Sequence, residues 1–303
     1  MNMTRAISFL VAVLAFLFLT APVTATPFFF STGDPDGKMA TASRPESAGK
    51  FEIESADDFV LTGPTSITSA TFTGLLTGGT TPANIGEVRV EIYRVFPADS
   101  DVGRTSGPPT FSTLKVPTRV NSPSDVESVD RDTAPSPGNL IFSTKVLANT
   151  FSALNSVLPG GIHPIPNQTT GGNGSTTGEE VEFDVTFTTP FSLPPDHYFF
   201  VPQVEITTAG GEFLWLSAPR PIVPPGTPFP AGSTDLQSWT RDTFLDPDWL
   251  RVGADIVGPT PATAPTFNAT FSLTGNSIPE PATWLLLGLG MVSLVGWQRF
   301  RNQ

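Results

Sequence analysis

Cysteine is absent from this chain, and histidine occurs only twice, at His163 and His197. The first absence excludes disulfides, thiolate metal sites and a cysteine nucleophile. With no cysteine cluster and no His-Glu-x-x-His, zinc catalysis has no foothold. Neither a Gly-x-Ser-x-Gly elbow nor a Walker-type or Gly-x-Gly-x-x-Gly loop is present, which removes the familiar hydrolase and nucleotide signatures. Positive charge is scarce: 16 Lys and Arg stand against 28 Asp and Glu, a formal net charge of −12. That balance argues against a nucleic-acid partner. Helical periodicity is missing as well, since the middle of the chain holds no convincing helical window.

What the chain does have suits strands. Its 24 phenylalanines, with many Val and Thr, fit a pleated, half-buried surface, and 32 prolines punctuate it and forbid long helices. Pairs of apolar and polar positions alternate in 67–76, 88–96 and 181–187, with Val88, Val90 and Ile92 on one face and Arg89 and Glu91 on the other. Segments 51–61, 140–147 and 267–273 are further strand candidates. Segments 197–206 and 212–216 are expected to form a hairpin over Gly210-Gly211. Three stretches, 97–137, 158–178 and 219–233, are expected to be long loops. The predicted fold is all-β, a jelly-roll-like β-sandwich spanning residues 26–277.

The two ends differ from the middle. Arg5, the apolar run 7–19 and the small residues Val23, Thr24 and Ala25 form a signal peptide, residues 1–25, to be cut after Ala25 by signal peptidase. At the other end Pro279-Glu280-Pro281 fixes an extended, accessible segment. An apolar stretch from Ala282 to Trp297 follows, about 24 Å long as a helix and at the short edge of a membrane crossing. Trp284 and Trp297 sit at its ends as interfacial aromatics, and Arg299 and Arg301 would hold the terminus on the cytoplasmic side.

This tail, residues 278–303, resembles the PEP-CTERM sorting signal, with Pro279, Glu280 and Pro281 on the name-giving motif. The resemblance implies an exosortase as processing partner and transient anchoring in the inner membrane through one short transmembrane helix. It further implies delivery to the surface or extracellular matrix of a Gram-negative-type bacterium that makes exopolysaccharide. In the middle, Ala56-Asp57-Asp58-Phe59-Val60-Leu61 and the later Leu193-Pro194-Pro195-Asp196-His197-Tyr198 loosely resemble exported bacterial β-sandwich domains, folds that often bind glycans.

Candidate sites in the middle are few. Trp239 and Trp249 flank a segment holding Arg241 and Asp242, an aromatic and charged cluster suited to stacking on sugar rings; a structural turn packed by two tryptophans is the competing account. Trp215, in an apolar strand, belongs to the core. Asp34, Asp36, Asp57 and Asp58 could give a structural calcium ion oxygen ligands, although their spacing is not that of an EF-hand and ordinary surface turns compete. No other cofactor is expected. Alternation sends Asp57 and Asp58 to opposite faces of their strand, so they are no ready catalytic pair; Asp58 is expected to face solvent. The expectation is a noncatalytic cell-surface or extracellular-matrix protein whose partner is extracellular polysaccharide. The alternative is a secreted carbohydrate-active enzyme.

Overall fold

The computed structural model describes residues 25–100, 116–135, 137–162, 169–258 and 265–279. The apolar run of the leader, His163, Glu280, Pro281, Trp284, Trp297, Arg299 and Arg301 lie outside them.

Fifteen strands follow one another among the described residues: β1 (Pro27–Ser31), β2 (Met39–Ala42), β3 (Ile53–Leu61), β4 (Thr65–Leu76), β5 (Ile85–Arg94), β6 (Val129–Asp132), β7 (Leu140–Ala153), β8 (Asn155–Val157), β9 (Thr176–Leu193), β10 (Asp196–Ile206), β11 (Phe213–Ala218), β12 (Trp239–Asp242), β13 (Leu250–Arg251), β14 (Asn268–Ala269) and β15 (Phe271–Ser277). They form two sheets. The six-stranded sheet runs β13-β12-β3-β10-β5-β6. In the nine-stranded sheet β4 is the hub: β9 pairs along one side, and β15 and β11 share the other. The fold is therefore all-β with two sheets, as the sequence predicts. Residues Pro27–Asn276 form one compact unit, in which β1 and β15 pair antiparallel from Pro27↔Asn276 to Ser31↔Ser272.

Phenylalanine makes the core. Phe72 stacks on Phe183 at 4.8 Å, joining β4 to β9. Phe200 stacks on Phe271 at 4.9 Å, joining the six-stranded sheet to the nine-stranded one. Trp215 packs in the same cluster, and its indole N–H donates to the Thr270 carbonyl at 2.8 Å. Val88, Val90 and Ile92 all enter this core, as their alternation requires.

Two expectations are corrected. Segments 196–206 and 213–218 are strands but not a hairpin: β10 pairs with β3 and β5, whereas β11 pairs with β2, β4 and β14 in the other sheet. Both strands are apolar on both faces, so alternation could not reveal that Gly210-Gly211 turns the chain from one sheet to the other. Simple alternation would also put Ile67 and Phe72 on opposite faces, yet both lie in the core. A register shift between Ile67 and Ser69 against β9 supplies the extra residue that flips the face.

The long loops are partly structured. The 97–137 segment contains β6, which extends the six-stranded sheet. Its 116–126 portion reaches the outer face of that sheet, where the Ser124 carbonyl accepts from the Trp249 N–H, beside the segments that flank β12. There Leu236, Trp239 and Trp249 cover Ala56, Tyr93, Phe199 and Val201. This cover turns an ordinarily solvated face into a second interior, and the candidate site is built there.

Close packing at the hub has a checkable consequence. A Cβ on Gly74 of β4 would come 2.2 Å from the Phe213 ring and 2.7 Å from the Leu214 carbonyl oxygen. Gly74→Ala is expected to destabilise the sandwich by about 1–3 kcal/mol, read as a lower urea midpoint with an unchanged slope.

Candidate functional site

The strand β3 carries adjacent carboxyl groups to both faces of its sheet. Asp57 points inward, in register with Phe200, and is fully buried. It accepts from the Ala269 N–H at 2.8 Å and the Ser238 hydroxyl at 3.0 Å. Asp58 points outward, in register with Phe199, and is 1% exposed rather than solvated. It accepts from the Leu236 N–H at 3.1 Å, and its Oδ2 lies 2.5 Å from His197 Nε2. The two carboxyl groups thus hold different segments, Asp57 the Ser238 side chain and the 269 backbone and Asp58 the 236 loop. Burial pushes the Asp57 carboxyl well above its usual range, and the neighbouring charge of Asp58 adds to this.

Further along the outer face, the register β12–β3 sets Arg241 directly opposite Glu54. The guanidinium meets both carboxylate oxygens through Nε and Nη2. It also lies 4.4 Å over the Trp249 ring, donates from Nη2 to the Tyr93 hydroxyl at 2.9 Å, and pairs with Asp246 at 2.9 Å. The Tyr93 oxygen is 2.6 Å from Glu54 Oε1 and 3.2 Å from Glu91 Oε2. Its single proton goes to the nearer Glu54. Glu91 is 5% exposed, and burial, with Glu54 and Glu52 beside it, pushes its carboxyl well above the usual range. A cavity of about 440 Å³ opens over this cluster, lined by seven carboxyl groups and by Arg89 and Arg241.

The expected sugar-stacking surface is not there. Trp239 and Trp249 are 1% and 0% exposed and pack on Tyr93, Phe199 and Val201, so neither offers a ring face to solvent. The Trp249 N–H donates to the Ser124 carbonyl at 3.0 Å. Asp242 is buried too, and its Oδ1 accepts from the Phe244 and Leu245 N–H groups at 3.0 Å, closing the turn after β12. The competing account, a turn packed by two tryptophans, describes this segment. The reason is the loop cover, which removes the face from water. Of the four predicted residues Arg241 and Trp239 each line a cavity, and these are different ones.

The four aspartates are engaged separately. Asp36 accepts from the Lys38 N–H and the Ser217 hydroxyl, while Asp57 and Asp58 are occupied by the donors above. Asp34 joins none of them in a ligand set: among the described residues no group of three or more His, Asp or Glu is placed to hold a metal ion. Sequence reasoning missed Glu52, Glu54 and Tyr93. The available signal was their parity, since Glu54 and Ala56 share one face of β3, with Glu52 in phase just before it, while Arg89, Glu91 and Tyr93 share one face of β5.

The other functional element starts where the sandwich stops. β15 ends at Ser277, which is bound to Thr26 by a backbone bond at 2.8 Å and a hydroxyl pair at 2.6 Å. Residues 277–301 match the PEP-CTERM protein-sorting motif. The tail is a PEP-CTERM sorting signal. The chain is accordingly an exported protein processed by an exosortase, with a membrane-anchored stage on its way to the cell surface. Comparison with curated proteins and with solved structures finds no match. Among the described residues no helix is long and apolar enough to cross a membrane, and Ala282–Trp297 lies outside them. The matched sorting motif begins at Ser277, the last residue of β15.

Two outcomes follow from the buried face. Trp249→Ala is expected to cost about 3–5 kcal/mol of stability and to show as a lower melting temperature. Asp57 and Glu91 have raised folded-state values, so the stability they contribute is fully present below the ordinary carboxyl range and lost as pH climbs through the raised values. Melting temperature should therefore fall from mildly acidic toward alkaline pH. Asp57→Asn and Glu91→Gln should each flatten that fall; a slope unchanged in both variants would contradict the assignment.

Proposed function

We propose that the exported sandwich is a noncatalytic cell-surface or extracellular-matrix protein that holds extracellular polysaccharide. The observation that carries this reading is the sorting signal attached directly to a closed two-sheet body. A chain sent through this route ends at the cell surface, and a rigid sandwich with polysaccharide as its partner suits that position. The use of the acidic residues supports the same reading. Glu54 is locked by Arg241, Asp57 and Asp58 hold loops, and Asp242 closes a turn. Each is committed to the fold before any substrate arrives.

A second reading, a secreted carbohydrate-active enzyme, draws on one observation: Glu91, with its raised carboxyl, lines a cavity beside Glu54. A glycosidase places its two carboxyl groups about 5–5.5 Å apart or about 6.5–9.5 Å apart with the scissile bond between them. Here both groups meet the one Tyr93 oxygen, and Arg241 pairs with Glu54, which commits that carboxylate to an ion pair. The geometry favours the binding protein.

The test uses a host that has the sorting enzyme. Replacing Pro279-Glu280-Pro281 by three alanines should leave export intact and change the C-terminus, read by mass spectrometry of the recovered protein. The parent chain should release no reducing sugar from the host's own polysaccharide, and should sediment with it. Sugar release abolished by Glu91→Gln would establish the enzyme instead.

A further inference from the structure

Beside the acidic cleft, a second cavity of about 440 Å³ lies on the outer face of the six-stranded sheet, lined by residues of the 118–121 and 234–237 segments with Trp239, Arg220 and Arg251. Two of its lining residues carry a buried polar atom with no hydrogen-bond partner: the indole Nε1 of Trp239, a residue 1% exposed, and Oδ1 of Asp235. One is a donor and the other an acceptor. Oδ1 of Asp235 has the Arg220 guanidinium as an ion-pair partner, so the Trp239 N–H is the atom left with none. An unpaired buried donor costs about 1–3 kcal/mol, and with a carboxylate beside it that can still accept, the lining suits a ligand that both accepts and donates. A hydroxyl does both; a simple anion or cation does only one.

The charges around this cavity narrow the class further. Arg220 Nε lies 3.3 Å from Asp235 Oδ1, and Arg251 is held in a double contact by Asp255 at 2.6 and 2.9 Å. Both guanidinium groups are thus balanced by carboxylates, and the chain as a whole carries −12. A sulfate, phosphate or uronate would meet no uncompensated cation. Leu236 adds an apolar wall. The volume falls in the range of small-ligand pockets, about 300–1,000 Å³.

We propose that this cavity takes a neutral sugar residue of a polysaccharide, with the Trp239 N–H donating to a sugar oxygen and Asp235 accepting from a sugar hydroxyl. Trp239 then acts through its edge, not through the ring face that its burial withholds. The proposal rests on the reading that the sandwich holds polysaccharide, and it names where and by which chemistry.

The experiment uses the full chain in detergent, labelled with nitrogen-15 at its tryptophan indoles, and three probes: the neutral glucan laminarin, a neutral mannan, and alginate, a uronate polymer. One neutral probe should bind and shift the Trp239 indole resonance, identified by its loss in Trp239→Phe. Trp239→Phe, which keeps the ring and removes the N–H, should weaken binding about tenfold, with the melting temperature within about 3 °C of the parent. Asp235→Asn, at a partly exposed position, should weaken it similarly and serves as the deciding variant if Trp239→Phe fails to fold. A neutral glycan bound equally by parent and both variants, with the indole resonance unmoved, would overturn the cavity assignment and leave the polysaccharide reading standing. Binding of alginate alone would overturn the neutral class. Binding of no probe would sink both the cavity and the polysaccharide reading, while the sorting result stands apart from either.

Discussion

A carboxyl group taken out of water must be met by donors or give up its charge, and β3 puts two of them next to each other. Because side chains alternate along a strand, Asp57 and Asp58 leave on opposite faces and solve the problem separately. Asp57 recruits the Ser238 hydroxyl and the Ala269 N–H, and it relieves the remaining cost through a raised proton affinity. Asp58 recruits the Leu236 N–H and His197. The segments they recruit come from far along the chain. The pair therefore fixes how the region after residue 233 wraps around a strand laid down near residue 57, and the covered outer face depends on that wrap.

The same constraint governs the cover itself. Arg241 is brought opposite Glu54 by strand register, and the charge is tolerated because a carboxylate, a phenol and two aromatic rings surround it. Arg119 does the corresponding work between loops: fully buried, it contacts Asp125 and Asp248 and lies 4.7 Å over Phe96. Buried ion pairs of this kind return little net stability against an apolar replacement, but losing one partner leaves a stranded charge at about 3–5 kcal/mol. They act as registration pins. Loops rich in proline and poor in apolar residues are thereby held against a sheet with few hydrophobic contacts of their own.

That arrangement separates two kinds of residue that look alike in one dimension. Glu54, Asp57, Asp58, Asp242 and Trp249 have the composition of a binding or catalytic site, and the fold consumes them. Trp239 leaves its indole N–H unanswered at a cavity, beside the Asp235 carboxylate that Arg220 pairs. In a protein sorted to the cell surface, polar atoms of this second kind are the informative ones, since the structure gives no account of them by itself.

The sequence alone determined the sorting tail and several of the strands. The sorting motif is a contiguous run, so its residues are legible in one dimension. The alternation of Val88, Val90 and Ile92 needs no partner to be recognised, because it reflects a two-residue period fixed by the backbone. Only the tertiary structure decided which strands pair and what covers them. β10 and β11 are apolar on both faces and carry no signature of which sheet each joins, and the bulge after Ile67 reverses a face with no residue that marks it. Whether Trp239 and Trp249 meet solvent depended on loops more than a hundred residues away in sequence. Burial is a property of what comes to lie on top, and no local pattern encodes that.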